Sequence, residues 1–555
     1  MSTLSKFEAK LKRGLNEYPV KPGETFQYGT AGFRTRGDKL ESVLFKVGIL
    51  AALRSKTCNG KAIGVMITAS HNPAEDNGVK LVDPHGEMLD TSWESHATDF
   101  ANAPSPDAFL ATLKSFIETK NIPLNTPASV VYARDTRSSG PKLVTALRKG
   151  LAAVDADATD ADVTTTPILH YLVNTINTPG TQESDVKKLI EGYFVKISSA
   201  FRKLLAERTS SGHLLVDCAN GVGALAAKTL NHYLGESLNL ELENTATDSC
   251  EELNKDCGAD YVKVNQKLPP SLTSVLQCGQ RGCSLDGDAD RLIYYYLDES
   301  GEFHMLDGDK ITTLVASFII KLVKDAGLED IQEKIKVGVV QTAYANGNST
   351  KYLSERLPVT CVSTGVKHLH HAAAEKYDIG VYFEANGHGT VLFSPSAQRA
   401  IDSHKPSTSA HSDALNRLKD VIDVINQTVG DALSDMLLVE VALHHMSYTV
   451  EAWNRLYSDL PNRLVKVKVG DRNAFTTEDA ERRLVQPPGL QEKIDQLVRE
   501  KRGRSFVRPS GTEDVVRVYA EAPETDQAID LALRVAGIVY DEAGGDPAQR
   551  PAEFR

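Results

Sequence analysis

Residues 66–80 read MITASHNPAEDNGVK. The apolar residues that open this stretch predict a short buried strand. Pro73 keeps Asn72 extended and prevents a helix from starting there, so the chain turns directly after the strand. We therefore expect Ser70 on an exposed turn at a strand end, where a nucleophile or a phosphate carrier is useful. An ordinary surface turn is the alternative interpretation.

Short apolar runs elsewhere in the chain also end in polar or glycine-rich loops, and helix-like segments follow several of them. This rhythm predicts mixed or parallel sheets covered by helices. It recurs without tandem sequence identity, so a solenoid is excluded. The runs lie at 130–133, 214–217 and 337–341, and helices are expected over 223–234 and 349–355.

The chain has 555 residues, more than one hydrophobic core usually supports. We expect roughly three to four domains. A net charge of −12 argues against broad nucleic-acid binding, which needs a basic surface. It permits an anionic substrate, because local Arg and Lys side chains act within a Debye length. The polar stretch 394–412 predicts a surface excursion.

Cysteine usage and hydropathy indicate a cytoplasmic protein. The seven cysteines include no C-x-x-C pair, which favours reduced thiols. The first 19 residues lack the apolar core of a signal peptide. The most apolar window, 311–323, contains Lys321 and is too short to span a bilayer. We expect a monomer with no nucleic-acid partner and no membrane partner.

Residues 284–291, SLDGDADR, place carboxylates at every second position. Asp286, Asp288 and Asp290 can converge when this backbone is extended or looped. An all-oxygen cluster suits a hard octahedral cation, above all Mg²⁺. An EF-hand is excluded, because the sixth position is not glycine and the twelfth is not glutamate. A plain acidic turn is the alternative.

Two further motifs carry polar groups suited to a sugar and to an anion. Residues 383–389, FEANGHG, lie between apolar strands and offer donors and acceptors to sugar hydroxyls; an ordinary hairpin turn is the alternative. Residues 508–514, RPSGTED, together with Arg517, offer guanidinium forks, hydroxyls and a glycine N–H to phosphate; a polar turn is the alternative. A weaker segment, 28–36, YGTAGFRTR, matches neither a P-loop nor a dinucleotide fingerprint.

In this order the motifs resemble those of the α-D-phosphohexomutase superfamily over nearly the whole chain. The resemblance implies an α/β protein of four domains around a central cleft, three mixed-sheet α/β domains and a smaller C-terminal α+β domain. The expected domains are 1–182 with the phosphoserine loop, 183–302 with the metal loop, 303–453 with the sugar-binding loop and 454–555 with the phosphate-binding loop.

The resemblance also implies roles for individual residues. Phospho-Ser70 shares one Mg²⁺ with Asp286, Asp288 and Asp290. His71 and Lys80 are both candidates for the general base, and Arg34 adds positive charge. The expected substrate-binding residues are Glu384, Ala385, Asn386, Gly387, His388, Arg508, Pro509, Ser510, Gly511, Thr512 and Arg517.

The sequence of the sugar-binding loop, in which Asn386 follows Ala385, is similar to that of the acetylglucosamine branch of the superfamily. We expect interconversion of N-acetylglucosamine 6-phosphate and 1-phosphate through a hexose 1,6-bisphosphate, supplying UDP-N-acetylglucosamine synthesis. A glucose or mannose phosphate mutase, a sugar-phosphate sensor and a phosphatase are the alternatives. Intact Ser70 and its aspartates speak against a sensor, and the separate Arg508 loop is superfluous for simple hydrolysis.

Overall fold

The computed structural model describes residues 5–205, 212–328, 335–510, 515–545 and 549–554. The chain divides into two compact units, Met1–Asp307 with Lys419–Val441 and Gly308–Leu418 with Ala442–Arg555. Mixed α/β sheets occur in both units, which confirms the expected fold class. The four domain boundaries within the units stay a prediction. Among the described helices, none has the length and apolarity needed to cross a bilayer.

The first sheet has the strand order β1-β3-β2-β4-β5. Its strands are β1 (Phe33–Arg36), β2 (Ile63–Ile67), β3 (Asp76–Val82), β4 (Ser129–Arg134) and β5 (Asp157–Val163). The helices of this region are α1 (Ser5–Glu17), α2 (Glu41–Thr57), α3 (Thr91–Asn102), α4 (Pro106–Thr119), α5 (Gly140–Ala153) and α6 (Thr166–Asn177). Every residue of β2 is buried, because it lies between β3 and β4 in the middle of the sheet.

The second sheet of the first unit has the order β10-β9-β8-β6-β7. Its strands are β6 (Gly212–Asp217), β7 (Leu238–Glu243), β8 (Arg281–Leu285), β9 (Leu292–Leu297) and β10 (Phe303–Leu306). Helices α7 (Val186–Leu204), α8 (Gly223–Leu234) and α9 (Gly258–Asn265) accompany it. The parallel β6–β8 pair is followed by the antiparallel β8–β9 hairpin, so the loop after β8 emerges where a parallel strand ends.

The second unit contains a mixed sheet of order β12-β11-β13-β14. Its strands are β11 (Val337–Thr342), β12 (Val359–Val362), β13 (Ile379–Phe383) and β14 (Gly389–Phe393). The helices that follow α9 are α10 (Gly308–Asp325), α11 (Gly347–Ser354), α12 (Val366–Lys376), α13 (Pro395–Ser403), α14 (Ser409–Val424), α15 (Ala432–Met446) and α16 (Val450–Asn454). Helices α14 and α15 contribute residues to both units.

The C-terminal region is an antiparallel sheet of order β15-β19-β18 with a separate hairpin. Its elements are β15 (Asn462–Lys468), β16 (Thr476–Glu478), β17 (Arg483–Gln486), α17 (Leu490–Lys501), β18 (Arg504–Pro509), β19 (Val515–Glu521) and α18 (Thr525–Glu542). Apolar side chains of the sheet and of both helices form one core. This is the smaller α+β fold expected from the sequence.

The polar stretch 394–412 lies mostly at the surface, as expected, and much of it is helical. It contains α13 and the start of α14. The Ser394 hydroxyl accepts from Ala397 N and caps α13. Ala397 and Ile401 are buried, so one apolar pair four residues apart is enough to dock this short helix.

Candidate active site

Ser70 lies in the loop between β2 and β3. Its hydroxyl donates to Asp286 Oδ2 at 2.6 Å, and its N–H donates to Thr68 Oγ1 at 2.9 Å. The backbone of Ser70 has a φ of 52°. A residue with a side chain rarely adopts this left-handed conformation, and such strain collects at functional sites. The loop therefore holds the Ser70 hydroxyl against the acidic motif.

Ser70 is fully buried, which corrects the expectation of an exposed turn. The metal loop covers it, because a Cβ built on Gly287 would lie 2.4 Å from Ser70 O. Only glycine at that position lets the two loops approach so closely. The position of Ser70 just after a buried strand is as expected, since β2 ends at Ile67.

Arg137 organises the serine loop, although no motif of the sequence pointed to it. Its guanidinium donates to four loop carbonyls, those of Ser70, Asn72, Pro73 and Asp76. The side chain is fully buried. Carbonyls in an irregular loop lack the backbone donors that a helix or sheet provides. The Arg137 side chain supplies hydrogen-bond donors to them instead.

Asp135 neutralises this buried arginine. Its Oδ2 accepts from Arg137 Nε at 3.0 Å and from Thr68 Oγ1 at 2.7 Å. Burial raises the pKa of Asp135, and the Arg137 charge opposes that rise. One feature of the sequence could have indicated the role of Asp135 and Arg137. They follow β4 directly, and polar residues at a strand end in the middle of a sheet tend to face neighbouring loops.

We expect Arg137→Lys to lower kcat by about ten- to a hundredfold with little change in KM. The lysine keeps the charge beside Asp135 but cannot bond four carbonyls, so the Ser70 hydroxyl shifts from its productive position. Arg134→Lys is the matched control, because among the described residues Arg134 pairs with the exposed Asp162, at 3.7 Å, and bonds a single carbonyl. Equal kcat values for both variants and the wild type would show that Arg137 has no positioning role.

Three carboxylates converge in the loop between β8 and β9. Oxygen atoms of Asp286, Asp288 and Asp290 lie within 4.8 Å of one another, and all three residues are buried. The N–H groups of Asp290 and Arg291 both donate to Asp286 Oδ1, at 3.0 and 3.2 Å. These bonds curl the loop around Asp286 and bring the alternate side chains together, as the sequence predicts.

The carboxylate cluster fits a hard divalent cation. Burial, together with the charges of Asp290 and Asp288, raises the pKa of Asp286 well above its usual range. Asp288 Oδ1 is buried and has no hydrogen-bond partner among the described residues. A buried carboxylate oxygen without a partner costs free energy, which a bound cation would recover. The oxygen-only set matches the ligands that Mg²⁺ prefers.

Basic side chains surround the cluster. Lys80 Nζ lies 3.3 Å from Asp288 Oδ2 and 3.4 Å from Asp290 Oδ2. Lys80, a candidate general base, is thus paired with two carboxylates. Burial lowers the pKa of Arg34, and the neighbouring Arg291 lowers it further. Arg291, the last residue of the acidic motif, is a third cation of this site.

His71 lies beside the serine, with Nδ1 3.5 Å from Ser70 Oγ. The charge of Arg291, burial and the charge of Arg34 lower the pKa of His71 to about 2. Its imidazole is therefore neutral in this ring of cations. The general base stays a prediction with two candidates, His71 and Lys80.

The predicted sugar-binding residues form the hairpin turn between β13 and β14 in the second unit. Gly365 N donates to Glu384 Oε1 at 3.1 Å, and Asn386 Nδ2 donates to Glu384 Oε2 at 3.3 Å. Gly387 has a φ of 86°, which this turn requires. Ala385 completes the turn, and His388 N donates to Asn386 Oδ1 at 3.0 Å. The turn thus orients a carboxylate and an amide together.

The predicted phosphate-binding residues lie where β18 ends and β19 begins. Arg508 and Pro509 are the last residues of β18, Arg517 faces Arg508 from β19, and Ser510 N donates to Val515 O at 2.9 Å. Gly511 and Thr512 lie outside the described residues. The register therefore places two of the expected phosphate-binding arginines directly opposite each other on neighbouring strands.

Four family models match successive parts of the chain. Residues 177–293 and 307–448 match phosphoacetylglucosamine mutase AMG1, domains II and III. Residues 44–108 and 101–181 match the phosphoglucomutase/phosphomannomutase alpha/beta/alpha domain I, and residues 464–538 match the C-terminal domain of the same group. The order of the models is the order of the motifs.

Relatives that match almost the whole chain show to which family of the superfamily it belongs. The chain is 51% identical to phosphoacetylglucosamine mutase of Sus scrofa over 531 residues, which cover 94% of this chain and 95% of that protein. It is 47% identical to the Candida albicans phosphoacetylglucosamine mutase over 550 residues, covering 96% and 99%. The chain belongs to the phosphoacetylglucosamine mutase family. The motif order that resembled the superfamily is thereby explained by membership.

Solved structures of the same family share the fold. An Aspergillus fumigatus N-acetylphosphoglucosamine mutase in complex with GlcNAc-6P and magnesium is 49% identical, with a TM-score of 0.90, and the match covers 97% of this chain and 99% of that one. A serine-to-alanine variant of the same phosphoacetylglucosamine mutase, in complex with glucose 1,6-bisphosphate, gives a TM-score of 0.91 at 49% identity with the same coverage.

Proposed function

We propose that this protein is a phosphoacetylglucosamine mutase, which interconverts N-acetylglucosamine 6-phosphate and N-acetylglucosamine 1-phosphate. The observation that carries the proposal is the 2.6 Å hydrogen bond from the Ser70 hydroxyl to Asp286, inside a buried cluster of three carboxylates. A sugar-phosphate sensor needs neither that hydroxyl nor that cluster. The family membership and the complexes of its relatives with GlcNAc-6P, magnesium and glucose 1,6-bisphosphate support the substrate class and Mg²⁺ as cofactor.

Ser70 carries the phosphoryl group. A sugar hydroxyl attacks phosphorus of phospho-Ser70; the new O–P bond forms while the P–Oγ bond breaks, and the hydroxyl proton passes to a base of the site. The product is a hexose 1,6-bisphosphate, and Ser70 keeps the negative oxygen. After the bisphosphate turns over, Ser70 Oγ attacks the other phosphate, and the sugar oxygen regains a proton. Phosphoryl transfer of this kind depends mainly on positioning and charge neutralisation.

The surrounding residues supply the positioning and the charge neutralisation. Asp286, Asp288 and Asp290 would hold Mg²⁺, which as a Lewis acid neutralises charge on the transferring phosphoryl group. Arg34 and Arg291 add positive charge beside the serine. Arg137 keeps the serine loop in its strained conformation. The proton acceptor is His71 or Lys80.

Recognition of the sugar ring and of the non-reacting phosphate is assigned to residues 384–388 and to the Arg508 loop with Arg517. Arg508, Ser510, Gly511, Thr512 and Arg517 hold the phosphate that is not reacting, because forked guanidinium groups bind phosphate oxygens in pairs. The residues that bond sugar hydroxyls are Glu384, Ala385, Asn386, Gly387 and His388. Both orientations of the sugar use these contacts, so they serve both directions of the reaction.

The location and assembly of the protein are part of the proposal. We infer a cytoplasmic monomer; the sparse cysteines favour a reducing compartment. All seven cysteines are free thiols in the structure.

A coupled assay tests the proposal with N-acetylglucosamine, glucose and mannose 6-phosphates, each with a trace of its 1,6-bisphosphate. We expect the highest kcat/KM for N-acetylglucosamine 6-phosphate. Preference for glucose 6-phosphate would refute the acetylglucosamine assignment and leave the mutase chemistry standing. Turnover of none of the three sugars would refute the mutase itself.

A further inference from the structure

The two arginines of the phosphate-binding loop face each other on neighbouring strands. Arg508 on β18 is directly opposite Arg517 on β19. The Nε atoms of both are buried and have no hydrogen-bond acceptor within the described part of the chain. Like charges directly opposite each other destabilise a sheet. An anion that accepts from both side chains would therefore stabilise this pair.

A carboxylate of the same unit already lies against Arg508. Glu481 Oε1 is 3.1 Å from Arg508 Nε, and the two side chains are 16% and 13% exposed. The contact supplies charge without hydrogen-bond geometry, since that Nε has no acceptor in the described ranges. Glu481 instead accepts hydrogen bonds through Oε2, from Thr364 N at 2.9 Å and Thr364 Oγ1 at 2.6 Å.

Glu481 stands in a strained turn between β16 and β17. Asp479, Ala480 and Glu481 have φ values of 50°, 54° and 67°. Consecutive residues with side chains rarely occupy the left-handed region. Strain of this kind persists only where surrounding contacts hold it, and it is common at ligand-binding sites. The contacts with Arg508 and Thr364 hold this turn.

We propose that Glu481 is an internal counter-ion of the phosphate-binding loop, and that the phosphate of the sugar displaces it from Arg508. This inference rests on the proposed function, which assigns Arg508 to the non-reacting phosphate. A phosphate oxygen can accept from Arg508 Nε along the N–H direction, whereas Glu481 Oε1 lies 3.1 Å from this Nε outside hydrogen-bond geometry. Replacing Glu481 by phosphate at Arg508 therefore adds a hydrogen bond to the ion pair.

Competition from Glu481 lowers the affinity of Arg508 for phosphate, and a mutase needs a low affinity at this site. The bisphosphate must leave Arg508 before it can turn over and present its other end to the serine. A carboxylate that returns to Arg508 assists this release. Removing the carboxylate is therefore expected to tighten binding and to slow turnover together, because ground-state binding improves at the expense of the following step.

The test compares Glu481→Gln with Glu478→Gln in calorimetric titrations with inorganic phosphate and with N-acetylglucosamine 6-phosphate. Glu478 lies on the same hairpin, is 62% exposed and is 3.9 Å from Arg483, so its substitution removes the same charge without touching Arg508. We expect Glu481→Gln to bind both ligands about threefold to tenfold more tightly than the wild type, and Glu478→Gln to bind as the wild type does. In steady-state kinetics, both KM and kcat of Glu481→Gln fall.

A double-mutant cycle with Arg508→Ala ties the effect to this arginine. The gain in affinity from Glu481→Gln is expected to disappear when Arg508 is absent. Unchanged or weaker binding by Glu481→Gln, an equal gain in Glu478→Gln, or a gain that survives in Arg508→Ala would each overturn the proposal. If Glu481→Gln does not fold, Glu481→Asp replaces it in the cycle, because the shorter side chain withdraws from Arg508.

The binding titrations need no turnover, so the two proposals fail separately. A wild type that converts no sugar phosphate refutes the mutase and leaves the cycle measurable with inorganic phosphate. A wild type that turns over N-acetylglucosamine 6-phosphate, with weaker binding in Glu481→Gln, refutes the counter-ion alone.

Discussion

Replacing Ser70 with alanine is expected to abolish turnover and to leave the protein folded. The change removes the only atom that can carry the phosphoryl group in the proposed mechanism, so we expect kcat to fall on the order of 10⁴-fold or more. The stability effect is small by comparison. One buried hydrogen bond to Asp286 is lost, at a cost of about 1–3 kcal/mol, and alanine and serine tolerate the φ of 52° about equally.

Three measurements check this result: the coupled assay, the thermal unfolding temperature and the intact mass. The active wild type should carry a phosphoryl group on the Ser70 peptide, and Ser70→Ala should carry none. Ser138→Ala is the control, because Ser138 is an exposed serine on a loop of the same unit. Turnover by Ser70→Ala close to that of Ser138→Ala would exclude Ser70 as the carrier.

Asp288→Asn is expected to cause the second largest loss, at least about a hundredfold in kcat at any Mg²⁺ concentration, because hard cations prefer charged oxygen ligands. Asp288 is completely buried, and one of its two oxygens has no partner within the described residues. Asparagine has the same shape, so Thr166 Oγ1, which lies 2.6 Å from Asp288 Oδ2, keeps its neighbour. The substitution also removes the ion pair with Lys80, so the loss reports the charge of Asp288 and not the packing of the loop, and the Mg²⁺ dependence identifies the contribution of the metal.

The supporting measurement is the unfolding temperature with and without Mg²⁺. Metal that binds only the folded protein raises this temperature, and the rise should shrink or vanish in Asp288→Asn. Asp256→Asn is the control, since Asp256 is exposed and its φ of 52° suits asparagine equally well. An equal Mg²⁺-induced rise in the wild type and in Asp288→Asn would argue against a metal site at this loop, as would full activity after treatment with a chelator.

Much of the fold was predictable because its signals are local. Helix α8 begins and ends at the residues expected, and the apolar runs 130–133, 214–217 and 337–341 lie within β4, β6 and β11, since each is a short apolar pattern bounded by glycine or polar residues. The stretch 394–412 was expected at the surface, but its helices were not predicted. Its two helices carry few bulky apolar residues, and their stability comes from docking a narrow face and from the Ser394 cap, neither of which produces a strong periodic signal.

The amino-acid sequence by itself determined which chemistry is present: a serine after a buried strand, alternate aspartates, a polar hairpin and a pair of arginines. Only the tertiary structure decided what each group meets. Ser70 and Asp286 are 216 residues apart, and their contact arises because Gly287 lets two loops meet. Arg137 and Glu481 were invisible for the same reason, since their partners lie on other elements of the fold. Burial and ion pairing depend on such long-range contacts. Local sequence patterns identify the residues, but the long-range contacts determine the surroundings in which these residues act.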